Sequence, residues 1–158
     1  MIILDAGSTT LEVARHLDRK NVTVITNDIK IAVEIAQKPN IKLIVTGGIL
    51  ERAVYTLIGP NAEDFLSKIH VNKTFLGADA ISLEHGITNR TLQEVPIKRA
   101  MIKAADEVIV VADHSKLNKR VFASLCNLNE IKKLIIDKID EDFKQALNEI
   151  GVEVILAD

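Results

Sequence analysis

Apolar residues arrive along this chain in short β-branched runs separated by stretches of helical periodicity. Ile2–Leu4, Val22–Thr26, Ile41–Thr46, Lys73–Ala78, Glu107–Ala112, Lys133–Asp137 and Val152–Leu156 read as strands. Several are apolar almost throughout, the pattern of strands covered on both faces. Between them lie helix patterns at Leu11–Arg19, Ile29–Gln37, Asn61–Ser67, Leu92–Ala105 and Asp140–Ile150. Leu11, Ala14 and Leu17 share one side of the first; Ile29, Ala32, Val33 and Ala36 share one side of the second, which ends before Pro39-Asn40. Gly151 is a natural stop for the last. Alternation of this kind predicts an α/β architecture, a mostly parallel sheet flanked by helices with right-handed crossovers. Gly47 to Gly59 is less regular and predicts a loop with a short strand near Tyr55–Ile58. Ser82 to Thr91 predicts a loop with Gly86 and Asn89 as turn residues.

Size and composition narrow the class. A chain of 158 residues is long enough for a single domain burying about two thirds of its unfolded surface. Hydrophobic residues are 47% against 27% charged, which is globular, and aromatics are only 3%, so aliphatic side chains must fill the core. That scarcity leaves no aromatic platform for single-stranded nucleic acid, and a net charge of −2 argues against DNA binding by this segment through phosphate neutralisation. Cys126 is the only cysteine, so neither an internal disulfide nor a cysteine zinc cluster can form, and a small buried hydrophobe is expected there. No signal-peptide pattern opens the chain, and runs such as Val108 to Ala112 are too short to span a bilayer, which predicts a cytoplasmic protein with no membrane partner.

The polar residues matter through their placement. Five strands are each followed by a polar cluster: Asp5-Ala6-Gly7-Ser8-Thr9-Thr10, Thr26-Asn27-Asp28, Thr46-Gly47-Gly48, Gly77-Ala78-Asp79 and Asp113-His114-Ser115-Lys116. In a parallel sheet these are carboxyl ends along one edge, where open α/β sheets bind ligands. The first cluster turns from strand into helix and aims backbone N–H groups and a helix dipole at one point, a site for phosphate or another anion. Each cluster also has a plainer reading. Ser8 or Thr9 can simply cap a helix, as can Asn27 or Asp28. Gly47-Gly48 can be only a turn, Asp113 and Lys116 a solvated pair, and Glu94 and Lys98 an ordinary i, i+4 ion pair. Their coincidence on one edge favours a crevice suited to a small, hydroxyl-rich anion such as a sugar phosphate.

Other chemistry lacks support. His16, His70, His85 and His114 have no metal-ligand spacing, so no metal and no cofactor is expected. Neither a Gly-x-Ser-x-Gly elbow, a Walker loop nor Gly-x-Gly-x-x-Gly occurs.

The ordered set Asp5 to Thr10, Thr26-Asn27, Thr46-Gly47-Gly48, Gly77-Ala78-Asp79, Gly86-Ile87, Glu94-Val95-Pro96-Ile97-Lys98-Arg99-Ala100-Met101 and Asp113 to Lys116 resembles the C-terminal sensor domain of DeoR-type bacterial transcriptional repressors. The match runs from Ile2 to about Asp137. The resemblance implies a Rossmann-like, ribose-5-phosphate-isomerase-like fold over residues 1–158 and a phosphorylated sugar or related metabolite as effector. It also implies operator DNA as a partner only through an N-terminal winged helix-turn-helix absent from this chain, and assembly as a homodimer or homotetramer. Carried over by motif, Gly7, Ser8, Thr9 and Thr10 would hold the phosphate. Asp5, Asp79 and Glu94 would accept from sugar hydroxyls, Lys98 and Lys116 would supply positive charge, and Asn27, Gly47 and Gly48 would shape the wall; Asp113 belongs to the same ligand-binding set. The alternative is an aldose–ketose isomerase of the ribose-5-phosphate isomerase type with Glu94 as base. Those enzymes carry an Asp where this chain has Leu76 and a Lys-Gly-Gly-Gly segment where it reads Gly86-Ile87-Thr88-Asn89. Keeping the phosphate grip without that catalytic set suits a non-enzymatic sensor.

Overall fold

A computed structural model of the protein describes residues 1–18 and 21–157. The chain runs β1 (Ile2–Leu4), α1 (Ser8–His16), β2 (Val22–Thr26), α2 (Ile29–Ala36), β3 (Ile41–Val45), β4 (Ile49–Glu51), β5 (Thr56–Ile58), α3 (Pro60–Ser67), β6 (Val71–Gly77), β7 (Ala80–Ser82), β8 (Gly86–Asn89), α4 (Val95–Ala104), β9 (Ala105–Ala112), β10 (Ala123–Cys126), β11 (Lys133–Ile136), α5 (Glu141–Glu149) and β12 (Glu153–Leu156). Short 3-10 turns occupy His114–Lys116 and Leu128–Glu130.

The seven strands read from the sequence form one sheet, ordered β12-β11-β9-β6-β1-β2-β3, with every neighbouring pair parallel. Side chains alternate across its thickness. In β1, Ile3 joins Ala62 and Leu66 of α3 and Ile97 and Met101 of α4, whereas Leu4 joins Ala14 of α1 and Ile31 and Ile35 of α2. This is why several of these strands read as apolar almost throughout. A third cluster gathers Leu76, Val110 and Leu134 with Phe143 and Leu147 of α5.

Helix boundaries depart from the sequence pattern in two informative places. The first helix begins at Ser8, not Leu11, so the Gly-Ser-Thr-Thr turn is itself the first helical turn. Its far end falls at His16, and Arg19, the anticipated terminus, lies outside the described residues. The fourth begins at Val95, not Leu92, because Pro96 must sit in a first helical turn, where its missing N–H has no partner to lose.

The expected loop from Ser82 to Thr91 is a correction. It contains β8, which pairs antiparallel with β7 and β10 in a separate three-stranded sheet. Gly86 and Asn89 are buried strand residues rather than turn residues. Gly86 has φ +68, and a Cβ there would stand 2.4 Å from the Cys126 carbonyl oxygen, so close backbone approach demands glycine. The short strand expected near Tyr55 is β5, paired with β4 as a hairpin. No helix among the described residues is long and apolar enough to cross a membrane.

Candidate ligand-binding site

The chain fills the sheet from β1 outward through β2 to β3, then returns to β6 and continues outward through β9, β11 and β12. Strand order therefore reverses between β1 and β6. At that switch point the segments following the two strands diverge and leave a crevice beyond the carboxyl edge. A cavity of about 390 Å³ opens there, lined by the loop and first turn after β1, by the segments after β6 and β8, and by the start of α2. A more open depression of about 470 Å³ lies at the amino edge around Asn21–Thr23 and Pro39–Lys42; among the described residues its lining holds one cation, Lys42, and no carboxylate.

Three helices begin at the cavity, and their N-termini are treated differently. Asp28 caps α2: its Oδ1 accepts from the N–H groups of Lys30 at 2.6 Å and Ile31 at 3.0 Å. The N-terminus of α1 has no side-chain cap and no acidic residue in its first turn. The N–H groups of Ser8, Thr9 and Thr10 lie where no helical carbonyl reaches them. Gly7 is excluded from that group, because its N–H donates to Asp28 Oδ2 at 3.3 Å. The buried Thr10 hydroxyl is also engaged, donating to the Gly7 carbonyl at 2.9 Å. What remains open toward the cavity is a cradle of three amides and the hydroxyls of Ser8 and Thr9. α4 also lacks a side-chain cap, with Glu94 at its N-cap.

The carboxylates are held individually. Glu94 Oε2 accepts from Thr91 Oγ1 at 2.7 Å and Asn89 Nδ2 at 3.1 Å. Asp79 Oδ2 accepts from the Arg90 N–H at 2.9 Å. Asp5 is buried under the cavity floor, where its Oδ2 accepts from Lys98 Nζ and from the Gly77 N–H at 3.0 Å. Lys98 Nζ also donates to the Gly77 carbonyl at 3.1 Å. Burial pushes the Asp5 carboxyl above the usual carboxylate range, with the nearby Glu94 charge adding to it, while Lys98 and the Gly77 N–H pull it back. Lys116 reaches the cavity from the turn after β9. That turn is anchored twice: Asp113 Oδ1 accepts from the Ser115 N–H at 2.8 Å, and His114 meets Asp137 through both its N–H at 2.6 Å and its Nδ1 at 2.7 Å. The Ser115 hydrogen bond holds the Asp113 carboxyl below its ordinary value, and the His114 contact does the same for Asp137.

Of the residues singled out from the sequence, Gly7, Ser8, Thr9, Thr10, Asp79, Glu94, Lys98 and Lys116 line the cavity. Asp5, Asn27, Gly47, Gly48 and Asp113 stand off its wall. Asp5 supports Lys98 from below, and Asp113 caps its turn. Asn27 is fully buried, with Nδ2 donating to the Leu57 carbonyl at 3.3 Å. Gly48 leads into β4, where a Cβ would come 2.6 Å from the Ile58 carbonyl oxygen. The ligand-binding set carried over by motif did not include Asp28, Lys30, Thr56, Asn89 and Arg90, which also stand on the wall. Asp28 was read within the polar cluster after the second strand and as a helix cap, without a ligand role of its own, and Asn89 and Arg90 fell in the segment read as a loop. Lys30 and Thr56 carried no signal, because the hairpin that brings them together is a tertiary feature. Among the described residues, no group of three or more His, Cys, Asp or Glu is placed to hold a metal ion.

An open parallel sheet with a polar cavity at its switch point is the architecture of an α/β ligand-binding domain. The particular family follows from comparison with known proteins. The model of the DeoR C-terminal sensor domain matches residues 1–138, and the chain belongs to that family. It is 39% identical over 158 residues to the HTH-type transcriptional repressor GlcR of Bacillus subtilis, covering 99% of this chain and 61% of that protein. It is 35% identical over 157 residues to the HTH-type transcriptional regulator GlpR of Haloferax volcanii, covering 98% and 61%. The chain thus spans about three fifths of the length of these curated relatives. Among solved structures, ribose 5-phosphate isomerase from Plasmodium falciparum superposes with a TM-score of 0.50 at 20% identity, over 73% of this chain and 44% of that one, a likeness of fold.

Proposed function

We propose that this sensor domain binds a phosphorylated sugar or related metabolite and transmits its presence to operator DNA through a DNA-binding segment of the longer regulator. The observation that carries the reading is the uncapped N-terminus of α1 opening onto a cavity that also holds fixed carboxylates and lysines. Backbone amides and a helix dipole suit a phosphate, the Ser8 and Thr9 hydroxyls complete its coordination, and Lys116 adds positive charge. Asp79 and the second oxygen of Glu94 suit sugar hydroxyls. Coupling to DNA requires that the metabolite bind one arrangement of the assembled regulator better than another. A homodimer or homotetramer would set the spacing of the DNA-binding segments, and such a regulator works in the cytoplasm.

The domain acts as a sensor and not as an isomerase. Supporting this, the relatives are transcriptional regulators, and Leu76, where the motif resemblance to the isomerases implies an acidic residue, is apolar and buried in the core. A thermal-shift screen over a panel of phosphorylated sugars tests the proposal. A metabolite at a hundred times its Kd stabilises the native state by about 2.7 kcal/mol, raising Tm by roughly 5–10 °C in a domain of this size. Thr9→Ala and Lys116→Ala should each reduce that shift. Unchanged shifts in both variants would overturn the site. Turnover of ribose 5-phosphate, abolished in Glu94→Gln, would overturn the sensor reading in favour of an isomerase.

A further inference from the structure

Lys30 stands on the wall of the cavity, in the first turn of α2, where its charge opposes the helix dipole. It has no carboxylate partner among the described residues. The neighbouring Asp28 is occupied by the N–H groups of Gly7, Lys30 and Ile31. Among the described residues, the only group that meets the Lys30 ammonium is the ring of Tyr55, 4.1 Å from Nζ to the ring centroid. Tyr55 is the sole tyrosine of a chain without tryptophan, so in this protein it is also a built-in spectroscopic reporter.

The contact is held in register by backbone. The Ile29 N–H donates to the Tyr55 carbonyl at 3.1 Å, the Leu57 N–H donates to the Asn27 carbonyl at 2.7 Å, and Asp28 and Thr56 form a bridge between them. The tip of the β4–β5 hairpin is thereby locked to the start of α2, and its Val54 and Thr56 form part of the same wall. Tyr55 sits at φ 57, a left-handed conformation that bulky residues rarely adopt, and remains half exposed. An exposed cation over a half-exposed ring is a weak interaction, and a charge-assisted hydrogen bond to an anion is stronger.

We propose that Lys30 is a binding residue for the anionic group of the ligand held at the start of α1, and that Tyr55 is its partner in the empty site, exchanged for the ligand anion on binding. This rests on the reading of the cavity as an anion site. The Asp28 carboxylate ties both ends of the device together: one oxygen holds Gly7 at the cradle, the other holds the turn that bears Lys30. Occupancy then frees the Tyr55 ring while the backbone lock on the hairpin persists, so the side-chain lining of the cavity's outer wall differs between empty and filled states.

The experiment titrates inorganic phosphate and ribose 5-phosphate into the native domain and its variants, following heat of binding and Tyr55 fluorescence. Loss of one charge-assisted contact in Lys30→Gln should weaken both probes about tenfold. Lys30→Arg should restore most of that affinity. The wild-type emission should change on saturation, and Lys30→Gln should show no change even when saturated. Wild-type affinity in Lys30→Gln, with weakened binding in Thr9→Ala, would overturn the role of Lys30 and leave the anion site standing. Binding of neither probe by the wild-type domain, together with no response to other phosphorylated sugars, would overturn both. Because Lys30 is exposed, its variants should unfold at the wild-type temperature, so a loss of affinity reads on binding.

Discussion

The Lys98 ammonium and the Asp5 carboxylate, 93 residues apart in sequence, form an ion pair with both side chains almost wholly withdrawn from water. It joins the end of β1 to α4 and, through the Gly77 N–H and carbonyl, to the end of β6, clamping the two strands between which the sheet order reverses. Removing one partner of a buried pair leaves the other charge uncompensated. Lys98→Met should therefore destabilise the domain by about 3–5 kcal/mol in urea unfolding. Asp5→Asn combined with Lys98→Met should recover more than half of that loss. The Asp5 carboxyl, already raised in the wild type, rises further without Lys98, so the native state holds the proton still more tightly relative to the unfolded chain. The deficit of Lys98→Met should accordingly shrink as pH falls through that raised value and grow toward neutrality.

Asp28 serves two elements at once, capping α2 with one oxygen and holding the Gly7 N–H with the other. Asp28→Ala should cost about 1–2 kcal/mol, the upper range for a lost N-cap, because a loop contact is lost with it. Asp28→Asn keeps an acceptor for the α2 amides and should cost less. Equilibrium denaturation of the two variants side by side checks the ordering.

The three-stranded sheet depends on close approach at Gly86. A side chain there meets the Cys126 carbonyl oxygen at 2.4 Å and must also adopt φ +68. Gly86→Ala should destabilise by at least about 2 kcal/mol, from backbone strain and overpacking together. The same sheet supplies Asn89 and Arg90 to the cavity wall, so the variant should also bind phosphorylated sugars more weakly at temperatures where it is folded. Full affinity in a destabilised Gly86→Ala would show that the two sites are independent.

At the opposite edge of the sheet, Glu107 lies between Lys73, 2.8 Å from Oε2, and Lys133, 3.1 Å from Oε1. The Lys73 hydrogen bond first and the paired Lys133 ammonium second hold its carboxyl below the ordinary value. A carboxylate with a depressed folded value contributes stability that is present above its unfolded value and lost as pH falls through the folded one. Wild-type stability should thus decline below about pH 5, and Glu107→Gln should flatten that decline. Chemical denaturation at pH 7, 5 and 4 measures the difference in slope. Because Lys73 is nearly half exposed, the effect at neutral pH should be small.

The seven strands of the central sheet were legible as short β-branched runs of characteristic length, the inner ones such as β9 nearly all apolar because they are covered on both faces, whereas the edge strand β12 is largely exposed. The five polar clusters that follow the early strands were legible as one edge, because parallel strands put their carboxyl ends together. β8 was missed for a local reason. Its Gly-Ile-Thr-Asn carries two turn-forming residues, and only the backbone of β10 pressing against Gly86 and the packing around Asn89 make it a strand. The start of α1 was misjudged by one turn because Ser-Thr-Thr reads as a cap, although with Gly7 before it the helix begins at Ser8.

By itself, then, the sequence determined the α/β alternation, the parallel sheet, the anion-suited turn after β1 and the family these motifs resemble. All of these are set by periodicity and by short-range chemistry within a few residues. Tertiary structure alone decided which polar residues share the cavity. It set Asp5 beneath the floor instead of on the wall, spent the Gly7 N–H on Asp28, and brought Lys30 over Tyr55. Those outcomes depend on strand order and on the β4–β5 hairpin, which join residues tens of positions apart, and no local pattern in the chain encodes such distances.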